Sequence, residues 1–131
     1  MPSAPLDQSS PEAGLLRAAY AAFNSRDIAA AVALMTPDVT WPRAFKGGFV
    51  RGPQEVGAYW KEQWSEIDPK VEPLVFHLED NGHIVVEVHQ LVRDLAGTAL
   101  AEGRVGHCFT LEGGLIRSME VCALPSAGSV E

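Results

Sequence analysis

Apolar residues change their period once along this chain, and that change restricts the possible folds more than any other feature. Between Leu15 and Trp64 apolar side chains return every three or four residues, as on one side of a helix; from Lys70 onward they alternate every second residue, as on one face of a strand. Helices followed by a run of strands is the order of an α+β domain, in which the two kinds of element are segregated. A chain of 131 residues has room for one such domain and none for a second.

The punctuation refines that order. Ser9-Ser10-Pro11-Glu12 is a helix start, with a serine to cap free amides, a proline suited to the first turn and a glutamate placed to cap back. Leu15, Leu16, Ala19, Tyr20 and Phe23 follow at helical spacing until Asn24-Ser25-Arg26-Asp27 interrupts them. A second short helix is expected to carry Ile28, Val32 and Met35 on one side, with Ala31 and Leu34 beside them, and to end at Pro37-Asp38. Val39-Thr40-Trp41 reads as a short strand, and the stretch from Pro42 to Gly52, with Gly47 and Gly48, as a mobile loop. Gly52-Pro53 with Glu55 opens a third helix bearing Val56, Tyr59, Trp60, Gln63 and Trp64, to about Glu66. Strands are expected near 70–79, 83–93, 98–111 and 115–123, separated by turns at Asn81-Gly82, Ala96-Gly97 and Gly113-Gly114. Residues 1–10 and 124–131, rich in Pro, Ser, Ala and Gly, read as loose tails around a domain spanning 11–123.

Charge and composition exclude some partners. A net charge of −7, with only ten scattered Lys and Arg, does not suit nucleic acid or an anionic membrane surface. No apolar run approaches the roughly 20 residues that span a bilayer, and Met1 to Ser10 lacks the basic start and apolar centre of a leader, so a cytoplasmic location is expected. Cys108 and Cys122 fall on separate expected strands without CxxC spacing and read as free, at least half-buried thiols. His77, His83 and His89 form no ligand-spaced cluster with carboxylates, so no metal is expected.

The run Tyr20-Ala21-Ala22-Phe23-Asn24-Ser25-Arg26-Asp27, followed by Ala33-Leu34-Met35-Thr36-Pro37-Asp38-Val39, resembles the opening of SnoaL-like and ketosteroid-isomerase-like domains of the nuclear transport factor 2-like superfamily. Val50-Arg51-Gly52-Pro53-Gln54-Glu55-Val56 resembles their entry into the third helix, and Gly114-Leu115-Ile116-Arg117 their final hairpin. The resemblance implies a cone-shaped, cystatin-like fold of three N-terminal helices packed on a curved antiparallel sheet around a pocket. It also implies a homodimer formed through the outer sheet face, where Val121, Cys108 or Glu87 would be placed. It does not imply one reaction, because this fold hosts isomerases, cyclases, dehydratases, epoxide hydrolases and proteins without known activity. Ketosteroid isomerases use an aspartate base with an oxyanion hole of a tyrosine and a protonated aspartate. In register with the motifs here, that tyrosine falls on Ala19, next to Tyr20, the base on Arg43, and the protonated aspartate on His107. The SnoaL aspartate acid/base has no evident counterpart either.

Strand parity then says which polar residues face the pocket. A two-residue turn near Ala96 puts Ile84, Val86, Val88, Gln90 and Val92 on one face with Val105, His107, Phe109 and Leu111, an apolar and therefore inner face. Glu87, His89, Glu102 and Arg104 fall outside, with Glu87 opposite Arg104; a bulge would instead turn Glu87 and His89 inward. His107 on that face is either an acid/base titrating near neutrality or a buried neutral imidazole hydrogen-bonded to a neighbour. Arg43, two residues after Trp41, either points into the pocket to hold an anion or is a loop arginine in solvent. Trp41, Trp60 and Trp64, with Tyr20, Phe109 and Gln90, are candidates for binding a substrate; tryptophans at these spacings equally suit core packing. Two functions remain open. One is cofactor-free proton transfer of isomerase, cyclase or dehydratase type, with His107 as acid/base and Arg43 stabilising an oxyanion. The other is a non-catalytic module that binds a hydrophobic small molecule or a protein partner.

Overall fold

The computed structural model describes residues 4–5, 10–43, 47–79 and 83–122. Its elements run β1 (Ala4–Pro5), α1 (Pro11–Asn24), α2 (Ile28–Val32), β2 (Met35–Pro42), β3 (Phe49–Arg51), α3 (Pro53–Trp64), β4 (Ile67–Leu78), β5 (Ile84–Asp94), β6 (Ala99–Glu112) and β7 (Leu115–Cys122). The expected turn at Asn81-Gly82 lies outside the described residues, as do 1–3, 6–9 and 123–131 of the two terminal segments; Ala4–Pro5 pairs with Leu78 and His77 at the margin of β4.

Local chemistry explains the helices. Ser10 caps α1 by accepting from the Ala13 amide at 3.1 Å, with Pro11 in the first turn, and Asp27 caps α2 by accepting from the Ala30 amide at 3.1 Å. Gly57 lets α3 cross close over α2, since a Cβ there would stand 3.0 Å from Ile28 Cγ2.

Two expectations fail between residues 33 and 52. The second helix stops at Val32, and Met35, Pro37 and Asp38 belong to β2. Pro37 is tolerated there because the ladder between β2 and β7 slips between Met35 and Thr40, so no amide is needed at that position. The Pro42–Gly52 stretch is not all loop either, since Phe49–Arg51 forms β3 against Thr40–Pro42.

One curved sheet orders the strands β1-β4-β5-β6-β7-β2-β3. It is mixed rather than wholly antiparallel, because β2 runs parallel to β7 while the other pairs are antiparallel. The β5–β6 register pairs Val86 with His107, Val88 with Val105 and Gln90 with Gly103, which is the expected parity. Ile84, Val86, Val88, His107 and Phe109 are accordingly buried on the concave face beneath Leu16, Tyr20, Val56 and Trp60. Glu87 and His89 lie on the convex face: Glu87 meets His77 at 2.8 Å and Arg104 at 3.8 Å, and His89 meets Glu102 at 2.7 Å. Val121 does not join them there, for it pairs with His107 on the concave side.

Asn24 ties the helical layer to β4. Its side-chain amide donates to the Val71 carbonyl at 2.8 Å while its carbonyl accepts from the Val71 amide at 2.9 Å, completing backbone groups on the side of β4 turned away from β5. Replacing Asn24 by Ala is expected to leave both groups unmatched and lower unfolding stability by about 1–3 kcal/mol. Urea denaturation would show this as a lower midpoint at unchanged slope.

Candidate functional site

A cavity of about 80 Å³ lies between the helices and the concave face. α1 contributes Tyr20 and Phe23, α3 contributes Tyr59, Trp60 and Gln63, β2 contributes Trp41, and the sheet contributes Val71, Gln90, His107 and Phe109. Each arrives by periodicity: Tyr59, Trp60 and Gln63 share one helix face, and Gln90, His107 and Phe109 share one sheet face. None of the described residues lining the cavity carries a carboxylate, ammonium or guanidinium.

His107 is bound to Tyr20 through Nδ1 and the phenol oxygen, 2.7 Å apart, with the two rings stacked at 5.8 Å. Phe109 stands edge-on to both rings. Burial lowers the His107 imidazole from 6.5 to about 4, because nothing around it repays the cost of a charge. Burial also raises the Tyr20 phenol well above its ordinary value, with Cys122 adding to the rise. At neutral pH both groups are therefore uncharged. If Tyr20 donates to Nδ1, the opposite nitrogen of His107 bears the free hydrogen; if Nδ1 donates, the Tyr20 hydroxyl bears it. In both arrangements the pair keeps one N–H or O–H donor beyond the bond it makes internally.

Of the two readings of His107, its burial and its bond to Tyr20 favour the buried neutral imidazole bonded to a neighbour over an acid/base titrating near neutrality. Arg43 and His107 are not brought together. The Arg43 Nε donates to the Gly47 carbonyl at 2.9 Å, closing the turn before β3, and Arg43 is not among the residues lining the cavity. Trp41 and Trp60 do line it and meet edge to face at 5.5 Å. Trp64 stands behind them, packed on Phe23 and Trp60 with the Arg26 guanidinium 4.9 Å from its ring centre. Arg26 is itself tied to Asp68.

Tyr59 was not singled out by sequence, although it stands one turn before Gln63, whose amide donates to its hydroxyl at 3.2 Å. Its signal was its place beside Trp60 on the buried side of α3. Val71, Met119 and Val121 also line the cavity and carry no mark beyond their parity.

With this geometry the sequence can be set beside known proteins. It matches the SnoaL-like domain family over residues 16–119. The chain belongs to the SnoaL-like domain family. Among solved structures it is similar to TerC co-crystallized with polyporic acid, at 26% identity and TM-score 0.75, covering 88% of this chain and 92% of that one. A nuclear transport factor 2-like protein of unknown function from Burkholderia pseudomallei is similar at 26% identity and TM-score 0.74, with the same 88% and 92% coverage. RV0760c from Mycobacterium tuberculosis, in complex with estradiol-17beta-hemisuccinate, shares the fold at 19% identity and TM-score 0.73, covering 86% and 93%. No curated protein sequence matches the chain. Among the described residues no helix of this SnoaL-like protein is long and apolar enough to cross a membrane, and no three His, Cys, Asp or Glu are grouped to hold a metal.

The buried imidazole makes stability depend on acid. Unfolded, His107 takes a proton near pH 6.5; folded, it does so only near 4. The stability it confers is therefore complete above about pH 6.5 and drains away as pH falls toward 4. Between pH 7 and 4.5 the wild-type protein should lose about 2–3 kcal/mol more unfolding free energy than His107→Gln. Urea titrations of both at the two pH values measure the difference, and equal losses would contradict the assignment.

Proposed function

We propose that this SnoaL-like protein binds an uncharged, ring-bearing small molecule in the cavity, with one oxygen of the ligand hydrogen-bonded to the His107–Tyr20 pair. The observation that carries the reading is a neutral donor pair held in an aromatic, otherwise apolar enclosure. Such a site favours a carbonyl or hydroxyl on a flat or alicyclic ring, since the ring replaces water against Trp41, Trp60 and Phe109 and the oxygen satisfies the donor. It disfavours a charged group, because no described lining residue offsets one, and an anion above all, because the chain carries −7. Gln90 supplies a second neutral donor and acceptor on the same wall. TerC with polyporic acid and RV0760c with estradiol-17beta-hemisuccinate support small organic ligands as the class.

A catalytic reading of isomerase or cyclase type rests on the same pair. A donor fixed in an apolar cavity would stabilise the oxyanion that forms when a ketone enolises, with the α-proton passing to water or hydroxide because no lining side chain serves as the base. His107 would then act as a hydrogen-bond donor rather than as the base, and Arg43 has no part in the step. The reaction would need no cofactor. A homodimer formed through the convex face and a cytoplasmic location belong to this proposal as well, both following from the family resemblance and the sequence.

Trp41 and Trp60 line the cavity, so tryptophan fluorescence reports its occupancy. Phenol should bind about tenfold more tightly than toluene, the margin of one hydrogen bond, and benzoate more weakly than phenol. His107→Phe should erase the margin between phenol and toluene while leaving toluene binding. The reading fails if none of the three binds or if the margin survives the substitution. Deuterium uptake from heavy water at the α-carbon of 2-cyclohexen-1-one, faster with wild type than with His107→Phe, would select the catalytic form.

A further inference from the structure

The inner cavity, at about 80 Å³, is small beside the roughly 300–1,000 Å³ of most ligand sites. A second cavity of about 260 Å³ adjoins it and shares two of its walls, Tyr59 and Gln63. Its remaining lining is Ile67, Val92, Leu100 and Ala101, with the single carboxylate of Glu66. Strand register makes the two spaces successive. The inner cavity is floored by Val71 and Gln90, which are paired across β4 and β5; two residues farther along the same face come Pro69 and Val92, and then Ile67.

Gly103 lines neither cavity, but strand register sets it between residues of the two. It pairs with Gln90 of the inner cavity, and Ala101 of the outer one pairs with Val92, so position 103 faces the concave side between them. A Cβ built on Gly103 has no atom within 4 Å, and its backbone is not in the left-handed region that only glycine favours. A side chain could therefore be added at this exposed position without a clash at Cβ and without backbone strain. Beyond it, β6 slips against β5 between Val92 and Arg93, which turns Leu100 out of the ladder; it is 57% exposed yet lines the outer cavity.

We infer that the two cavities form one elongated site across the Tyr59–Gln63 pair, and that its ligand is an extended molecule with a ring in the inner cavity and an uncharged apolar tail over Val92 and Leu100. This rests on the binding function proposed above. Together the two spaces reach the lower end of the usual range for ligand sites, which the inner cavity alone does not. The tail is apolar rather than anionic, since Glu66 is the one carboxylate among the described residues lining the outer cavity and the rest of that lining is mostly apolar. Gly103 lies between the halves.

A series of 4-alkylphenols tests this, from phenol through 4-propylphenol to 4-hexylphenol, each below its micelle-forming concentration. In wild type, affinity should rise roughly two- to fourfold per methylene over this range, the usual gain for a buried methylene. Gly103→Leu should leave phenol within about twofold of wild type and flatten the rise with chain length. Leu100→Ser, at an exposed position that cannot disturb the core, should reduce the rise for 4-hexylphenol without altering phenol. Phenol binding with no dependence on chain length, or an unchanged rise in both variants, would overturn the elongated site while leaving the inner one intact. If no member of the series binds, the proposed binding function falls and this inference with it.

Discussion

The bond between Tyr20 and His107 is the contact on which the character of the interior depends. It joins the first helix to the sixth strand across 87 positions of sequence, and both partners are buried. Each polar group would be costly alone in that apolar surrounding; together they satisfy one another and remain uncharged. The same neutrality decides the chemistry. An imidazole held near 4 is too weak a base to take up a proton at neutral pH, but as a fixed neutral donor it suits the proposed hydrogen bond to a ligand oxygen.

Packing around that bond is aromatic and comes from every layer. Phe23, Trp60 and Trp64 form a run of tilted and edge-on contacts from α1 to α3, and Trp41 carries it to the sheet through Trp60 and Phe109. Rings at such angles bury large areas and leave space between them that a small side chain would not enclose. The polar residues that do not serve the interior are collected on the other face. Glu87, His77 and Arg104 meet there, and Cys108 and Cys122 remain free and half-buried, with burial and the neighbouring Cys108, Glu79 and Glu120 raising Cys122 to about 11. Thiols raised in this way are poor nucleophiles near neutral pH.

Where the sequence carried a periodic signal, it was legible. The cap at Ser10, the breaks at Asn24 and Gly52 and the alternation after Lys70 all have local causes, and the parity of β5 and β6 placed Gln90, His107 and Phe109 on the cavity wall. What could not be read depends on contacts distant in sequence. Pro37 carries a helix-breaking signal, yet it sits in a slipped parallel ladder with β7 that no local pattern announces. Arg43 shares parity with Trp41, but its guanidinium finds the Gly47 carbonyl in the turn before β3. Trp64 and Trp60 are four apart on α3, and the slight rotation between them puts one at the cavity and the other behind it, against Arg26. The partner of His107 was equally out of reach, since nothing near position 107 points to residue 20. The family resemblance brought the fold, while of the three positions it would assign to ketosteroid-isomerase chemistry, Ala19 and His107 line the cavity and Arg43 does not.

His107 stays neutral across the physiological range because burial disfavours its charged form. Nitrogen-15 chemical shifts of the histidine rings, followed from pH 8 to pH 5.5, test it directly. The His107 ring is expected to keep the shifts of a neutral imidazole throughout, with unequal nitrogens, and its resonance is the one missing from His107→Gln. A His107 resonance that moves to the protonated pattern with a midpoint near 6.5 would contradict it.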